Sequence, residues 1–413
     1  SSFCVIVLSS EERGVYMKKK GKLKKVFLII LAIILATAAV TAVTNFTLYK
    51  LNMNRVNEYL PVINEEAVKP EKDENGIYTF TTDRELKILQ LTDIHIGGGW
   101  MSFKKDRMAF NAVAAMVTAE KPDLVVITGD LVYPVPFQSG TFNNMLSTKL
   151  IIALMEKLQV PWTLTLGNHD TESYSYFSRE KIGTLYTDEA LRYCLFSVGP
   201  EEVDGVGNHN IHVKNTQGKI TQELIFMDSH SYTDGDVFGI FWKYDNIHQN
   251  QVDWYEKVIL EAKKNNPDVK SLAFFHIPLV EFRDANTALM NGDETVKHIS
   301  GVIGEKDPYI YCGMHEDNLF EKALELGSTQ GFFFGHDHDN NAVMNYKGVD
   351  FTYGYSVDYL AYIGMSKRGY QRGCTVITVK PDGTYEQSHE NYYQDKYQPL
   401  YEKEVVTMVK EAK

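Results

Sequence analysis

From Leu86 onward, short apolar runs alternate with longer stretches whose apolar residues recur every three or four positions. LKILQLT (86–92), DLVVITG (123–129), WTLTLG (162–167), LIFMDS (224–229), SLAFFH (271–276) and GFFFG (331–335) read as strands. FKKDRMAFNAVAAMVTAEK (103–121), NMLSTKLIIALMEKLQ (144–159), NQVDWYEKVILEAKK (250–264) and NLFEKALELG (318–327) read as helices. Strand–helix–strand alternation predicts an α/β architecture. Beyond residue 340 the character changes. NAVMNYKG, VDFTYGYS and RGCTVITVKPDGTYEQ predict antiparallel strands with a Pro-Asp-Gly turn.

The N-terminal pattern is of another kind. MKKKGKLKK, from Met17, leads into VFLIILAIILATAAVTAV, 18 uncharged residues from Val26 to Val43. That length meets the lower limit for a membrane span. Equally, Val26–Leu35 has the form of a signal-peptide core, with Ala36-Thr37-Ala38 as its cleavage site. Either reading places the basic residues 1–25 in the cytoplasm and the rest of the chain outside, membrane-anchored or secreted. Residues 1–16, ahead of that methionine, read as an upstream extension or an over-called start. The anchor or signal segment occupies 26–44, and residues 45–84 are polar and read as an irregular stalk. A single domain is expected over 85–392, with a tail at 393–413.

Composition narrows the function classes. With 44% hydrophobic and 23% charged residues, the 413-residue chain has material for one large core or two smaller ones. Seven of the 42 basic and two of the 54 acidic residues lie in 1–25, so the remainder carries a net charge of −17. A body that acidic is a poor partner for long nucleic acid. Cys4, Cys194, Cys312 and Cys374 form no CxxC pair, which argues against a zinc-thiolate site.

The strand ends carry the chemistry. LKILQLT is followed by Asp93-Ile94-His95, DLVVIT by Gly129-Asp130 and WTLTL by Gly167-Asn168-His169-Asp170. SLAFF ends in His276 and GFFF in Gly335-His336-Asp337-His338, where period-two alternation would turn His336 and His338 to one side. In open α/β sheets the ligand pocket lies beyond the C-terminal strand ends, so five segments deliver carboxylate, imidazole and amide groups to one edge. Taken singly, Gly129-Asp130 also reads as a turn with a capping Asp, GNHD and GHDH as polar turns, and His276 as a satisfied core histidine.

Together, TDIH, TGD, GNHD, FFHIP and GHDH resemble the calcineurin-like metallophosphoesterase superfamily over roughly residues 86–390. LTDIHIGGGW, GNHD followed by SRE, MDS, FFHIPLVEF and GHDHDNN are most similar to its purple-acid-phosphatase-like branch that carries DxH. The resemblance implies a four-layer α/β/β/α sandwich and two metal ions. Asp93, His95, Asp130 and His338 would hold one, and Asp130, Asn168, His276 and His336 the other. An oxygen- and imidazole-rich donor set suits Fe, Mn or Zn. The implied reaction is hydrolysis of a phosphate ester, by a hydroxide held between the two cations.

His169 is extra to that donor set. Similar enzymes place this histidine over the phosphate, so His169 and Asn168 are expected to meet substrate. Asp170 would fix the His169 tautomer, or else cap a helix. Tyr133, in GDLVY, stands where purple acid phosphatases carry a metal-binding tyrosine. His95 competes for that place, which makes Tyr133 a wall residue and weak substrate contact. His315, in Met314-His315-Glu316, is a further weak substrate-loop candidate, and Gly97-Gly98-Gly99-Trp100 would shape the pocket mouth. The expected partners are a small phosphorylated substrate or a phosphoprotein, and a membrane through the N-terminal segment. The expected reaction is that of a phosphomonoesterase, with a phosphodiesterase or a catalytically dead metal-binding module as alternatives.

Overall fold

A computed structural model describes residues 10–236, 238–305, 309–362, 365 and 372–406. Cys4, the first part of the expected N-terminal extension and the end of the expected tail lie outside them. The strands are β1 Glu71–Lys72, β2 Tyr78–Thr81, β3 Leu86–Leu91, β4 Leu124–Thr128, β5 Trp162–Thr165, β6 His209–Lys214 and β7 Ile220–Phe226. They continue with β8 Lys270–Phe274, β9 Val296–Ser300, β10 Thr329–Phe334, β11 Val343–Tyr346, β12 Val349–Tyr353, β13 Gly373–Val379 and β14 Tyr385–Asn391. The helices are α1 Ser10–Val56, α2 Phe103–Glu120, α3 Pro136–Ser139, α4 Asn144–Leu158, α5 Arg179–Tyr186, α6 Gln249–Asn265, α7 Val280–Met290 and α8 Leu319–Leu326.

Two sheets result, one of nine strands in the order β1-β2-β6-β7-β8-β10-β12-β11-β9 and one of five in the order β14-β13-β3-β4-β5. The strands that end in chemistry are parallel neighbours: β3–β4–β5 in the smaller sheet, β8–β10 in the larger. Period-two alternation sorts their side chains between layers. Leu86, Ile88, Leu124, Val126, Phe274 and Phe333 meet in the core between the sheets. Leu89, Leu91, Val125 and Ile127 pack outward under α2 and α4. Phe332 and Phe334 pack outward on the other side with α6, α7 and α8 residues. The fold is therefore a helix–sheet–sheet–helix sandwich, and the phenylalanine run is apolar throughout because both its faces are covered.

Two stretches differ from the sequence expectation. Residues 45–84 are not an irregular stalk: α1 continues unbroken to Val56, and β2 joins the large sheet in parallel with β6. Asn45, Tyr49, Asn52 and Val56, at helical spacing, are buried against the body. Two of these four are asparagines that bury by hydrogen bonding, so an apolar-periodicity reading passes over them. Asn52 Oδ1 accepts from Arg107 Nε at 3.0 Å. Beyond 393 the chain also packs on the body, Tyr397 donating to Glu120 Oε1 at 2.7 Å and Tyr401 meeting Tyr59 edge-on. Cys194, Cys312 and Cys374 are free and buried.

Candidate metal centre

The turns that leave β3, β4 and β10 bend sharply. Asp93, His95, Asp130 and His336 all adopt positive φ, between 50° and 81°, a conformation unfavourable to residues with a Cβ. Backbone bonds hold the turns together: Asp93 N–H donates to Gly129 O at 3.2 Å and His95 N–H to Asp130 O at 3.1 Å. Gly335 is required by space. A Cβ there would stand 1.9 Å from Thr92 Oγ1 and 2.7 Å from Asp93 Oδ2. His336 and His338 lie past the end of β10, so strand alternation is not what aims them. The turn itself sends the two rings to neighbouring positions.

Around Asp130 the donor atoms converge in two groups. Asp130 Oδ2 lies 3.3 Å from His95 Nε2 and 3.2 Å from His276 Nε2. On the His95 side, His338 Nε2 stands 3.4 Å from Asp93 Oδ1. On the His276 side, Asn168 Oδ1 lies 3.1 Å from His276 Nε2 and 3.0 Å from His336 Nδ1. Donors bound to one cation at about 2.1 Å stand about 3 Å apart, the spacing seen in both groups. Asp93, His95, Asp130 and His338 are all buried, with one ligand atom from each within 4.8 Å of the others. His336 Nε2 is buried and has no hydrogen-bond partner. The residues present thus fit a cation pair that shares one carboxylate.

The His276 imidazole is held so that its inner nitrogen carries a lone pair. His276 Nδ1–H donates to Thr128 O at 2.8 Å, leaving Nε2 free toward Asp130. Asp358, which the sequence reading did not single out, is the ion-pair partner of two rings at once. Its Oδ1 is 3.0 Å from His95 Nδ1 and its Oδ2 3.4 Å from His338 Nδ1. Asp358 is fixed by N–H groups of Leu360, Ala361 and Tyr362 at 2.6–2.8 Å. Tyr232 orients the amide of Asn168, whose Nδ2 donates to the phenol oxygen at 3.0 Å and so turns Oδ1 inward. Burial alone would raise the Asp130 carboxyl, but His276, His169 and His95 hold it well below the usual carboxylate range. Burial likewise opposes charge on His95, yet Asp358 and Asp130 lift its imidazole to about 9. On the Asp358 side the field favours positive charge, whereas burial and the neighbouring His276 push His336 well below the usual imidazole range.

His169 stands apart from both groups. Its N–H donates to Asp130 Oδ1 at 2.8 Å, and its ring Nδ1 pairs with Glu172 Oε1 at 2.6 Å. Glu172, buried and also accepting from Tyr232, is therefore the partner that the sequence reading assigned to Asp170. Asp170 points the other way. It accepts from Gly167 N at 2.7 Å and Val132 N at 3.0 Å, bracing the turn instead of touching the imidazole. Tyr133 donates to Gln138 Oε1 at 2.8 Å and lays its ring edge-on to His95 and His169, forming a wall. His315 is exposed, in a loop where the neighbouring Met314 N–H donates to Tyr244 O.

The SRE and MDS motifs meet beneath the GNHD turn. Arg179 donates through Nε and Nη2 to the two oxygens of Asp228, at 2.8 and 2.5 Å, and through Nη1 to Gly167 O at 2.9 Å. Arg179→Ala leaves the fully buried Asp228 without its counter-charge. It is expected to cost about 3 kcal/mol of stability, measured by chemical denaturation. Unchanged stability would show that the pair carries no such role.

The calcineurin-like phosphoesterase family model matches residues 86–340. Probable inactive purple acid phosphatase 14 of Arabidopsis thaliana is 30% identical over 322 residues, which cover 70% of this chain and 75% of that protein. Probable inactive purple acid phosphatase 28 of the same plant is 26% identical over 345 residues, 77% of this chain and 81% of that one. Phosphatase DCR2 of Saccharomyces cerevisiae is 29% identical over 289 residues, 63% of this chain and 45% of that one. Among solved structures, a dimetal phosphatase from Danio rerio aligns over 76% of this chain and 98% of its own, with a TM-score of 0.48 and 12% identity.

Proposed function

The chain belongs to the calcineurin-like phosphoesterase family, and from that premise we propose that it is a metal-dependent phosphatase acting on phosphate monoesters. The observation that carries this reading is the shared position of Asp130 Oδ2 between His95 Nε2 and His276 Nε2, with His169 standing outside the donor set. Asp93, His95, Asp130 and His338 would hold one cation, and Asp130, Asn168, His276 and His336 the other. When bound, the two cations supply Lewis acidity toward the phosphoryl oxygens and lower the pKa of water at the site.

The remaining chemistry belongs to the chain. His169 holds a proton for the leaving oxygen, and Glu172 stabilises the imidazolium and fixes the ring through Nδ1. Tyr133 walls one side of the position a phosphoryl group would take, and Tyr232 keeps the Asn168 amide turned. Three plant relatives bear the word inactive in their names. Against a dead module here stands the joint presence of all seven donor side chains and the His169–Glu172 pair. The helix α1 is long and apolar enough to cross a membrane. In this reading it anchors the protein, with the basic end in the cytoplasm and the catalytic body on the other side.

The test is metal analysis of the purified full chain together with a screen of mono- and diesters. Two cations per chain and faster monoester turnover are expected. A chain that binds two cations yet cleaves neither ester class would overturn the enzymatic reading, and faster diester cleavage would reassign it to a phosphodiesterase.

A further inference from the structure

The apolar segment of α1 runs into its attachment to the body without a linker. The apolar segment 26–43 closes at Val43, and Asn45 is already buried. Asn45 Oδ1 accepts from Trp100 N at 2.9 Å, and its Nδ2 donates to Gly140 O at 3.0 Å. Tyr49, Asn52 and Val56 extend the contact over three further turns. An 18-residue helical span is about 27 Å long, close to the thickness of a bilayer's hydrocarbon core. A body clamped to the end of such a span lies on the membrane surface.

The face the body turns to α1 is suited to that place. Phe137 is 88% exposed, Tyr176 65% and Trp100 53%. An open cleft of about 770 Å³ lies between α1, at Ile33, Thr37 and Thr41, and the loops carrying Trp100, Phe142 and Tyr176. Ile33 and Thr37 belong to the 26–43 segment itself, so an α1 that spans a membrane sets lipid beside this cleft. Soluble surfaces seldom leave apolar area of this extent uncovered, whereas aromatic side chains concentrate at membrane interfaces.

The same apolar band reaches the metal centre. Phe142 contacts Tyr174, and Tyr174 contacts Phe238, with ring centroids 6.1 and 6.3 Å apart. Phe238 begins the run Phe238-Gly239-Ile240-Phe241-Trp242, whose large side chains are all exposed. Tyr232 and Tyr244 flank the run and stack on each other, one bonded to Asn168 and the other edge-on to His336. On the opposite side, Phe137 adjoins Gln138, which holds Tyr133 against His95.

We infer that this aromatic rim seats in the interfacial layer of the membrane that α1 spans, and that the substrate is a lipid phosphate monoester. Its acyl chain lies in the cleft against α1, and its phosphate reaches the candidate cation pair. The substrate part of this inference rests on the phosphatase reading above.

The test uses the full chain reconstituted in phosphatidylcholine vesicles, with metal content verified. Tryptophan emission is measured in vesicles whose acyl chains carry bromine, a contact quencher. Hydrolysis is measured for phosphatidic acid in the same vesicles and for soluble glycerol 3-phosphate. Bromolipid is expected to quench the wild type and to lose most of that effect in the Trp100→Phe/Trp242→Phe double variant. Turnover efficiency is expected to favour phosphatidic acid by about tenfold or more, since only a few buried methylenes supply that factor. Phe137→Ser/Phe241→Ser should lose this preference while keeping glycerol 3-phosphate turnover. Absence of quenching with equal turnover of both esters would overturn the inference and leave the phosphatase reading standing. Quenching without hydrolysis of either ester would uphold the membrane seat and overturn the phosphatase reading.

Discussion

Asp130→Asn is expected to empty both cation positions and to abolish turnover in one step. The carboxylate has two tasks in the structure. Its Oδ2 lies between His95 Nε2 and His276 Nε2, and its Oδ1 accepts the His169 N–H at 2.8 Å. Asparagine can keep the second task, because its one carbonyl oxygen still accepts that hydrogen bond. It cannot keep the first, since it brings no negative charge to the point where two cations would meet. Fold and stability should therefore survive, read as an unchanged thermal transition in metal-free buffer. Metal content should fall from two per chain toward zero. Loss of two Lewis-acid contacts, each worth several kcal/mol, predicts a fall in turnover of about 10³–10⁴-fold or more. Retention of both cations by Asp130→Asn would show that Asp130 does not bridge them.

What was legible in the sequence and what was not divide along the range of the interactions. The strand ends and their polar clusters are local features, and period-two sorting of Phe332, Phe333 and Phe334 is a property of the segment itself. The matching of those clusters to one edge followed from parallel strand order, which β3–β4–β5 and β8–β10 adopt. Asp358 carries no local mark. It enters the centre because residues 356 and 357 run beside Thr92, with Val357 N–H donating to Thr92 O at 3.1 Å. That pairing joins residues more than 260 positions apart in the chain. Of the two readings of Asp170, that of partner to His169 fails for a local reason. His169–Thr171 form a 3₁₀ turn, in which adjacent side chains diverge and residue i+3 comes back under residue i. Glu172, three residues after His169, was the position to suspect. The tie between α1 and the body was hidden because Asn45 and Asn52 make it with hydrogen bonds, which leave no apolar period.

His169→Ala is expected to separate catalysis from metal holding. The ring makes its hydrogen bond to Glu172 and lies edge-on to His95 at a centroid distance of 5.7 Å, without joining either group of converging donors. Both cations should therefore stay, at two per chain by elemental analysis. Turnover should fall by about 10²–10⁴-fold, the usual worth of a positioned general acid together with its electrostatic help. The loss should depend on the leaving group. An aryl phosphate expels a stable phenolate and needs little protonation, so its loss should be smallest. An alkyl phosphate expels a poor alkoxide, so its loss should be largest. Glu172→Gln sharpens the point, because the glutamine oxygen can still accept from Nδ1–H but no longer balances an imidazolium. It should follow the same leaving-group order with a smaller loss and full metal content. A His169→Ala protein that sheds its cations, or that hydrolyses alkyl and aryl esters at the wild-type rate, would return His169 to a purely structural place in the turn.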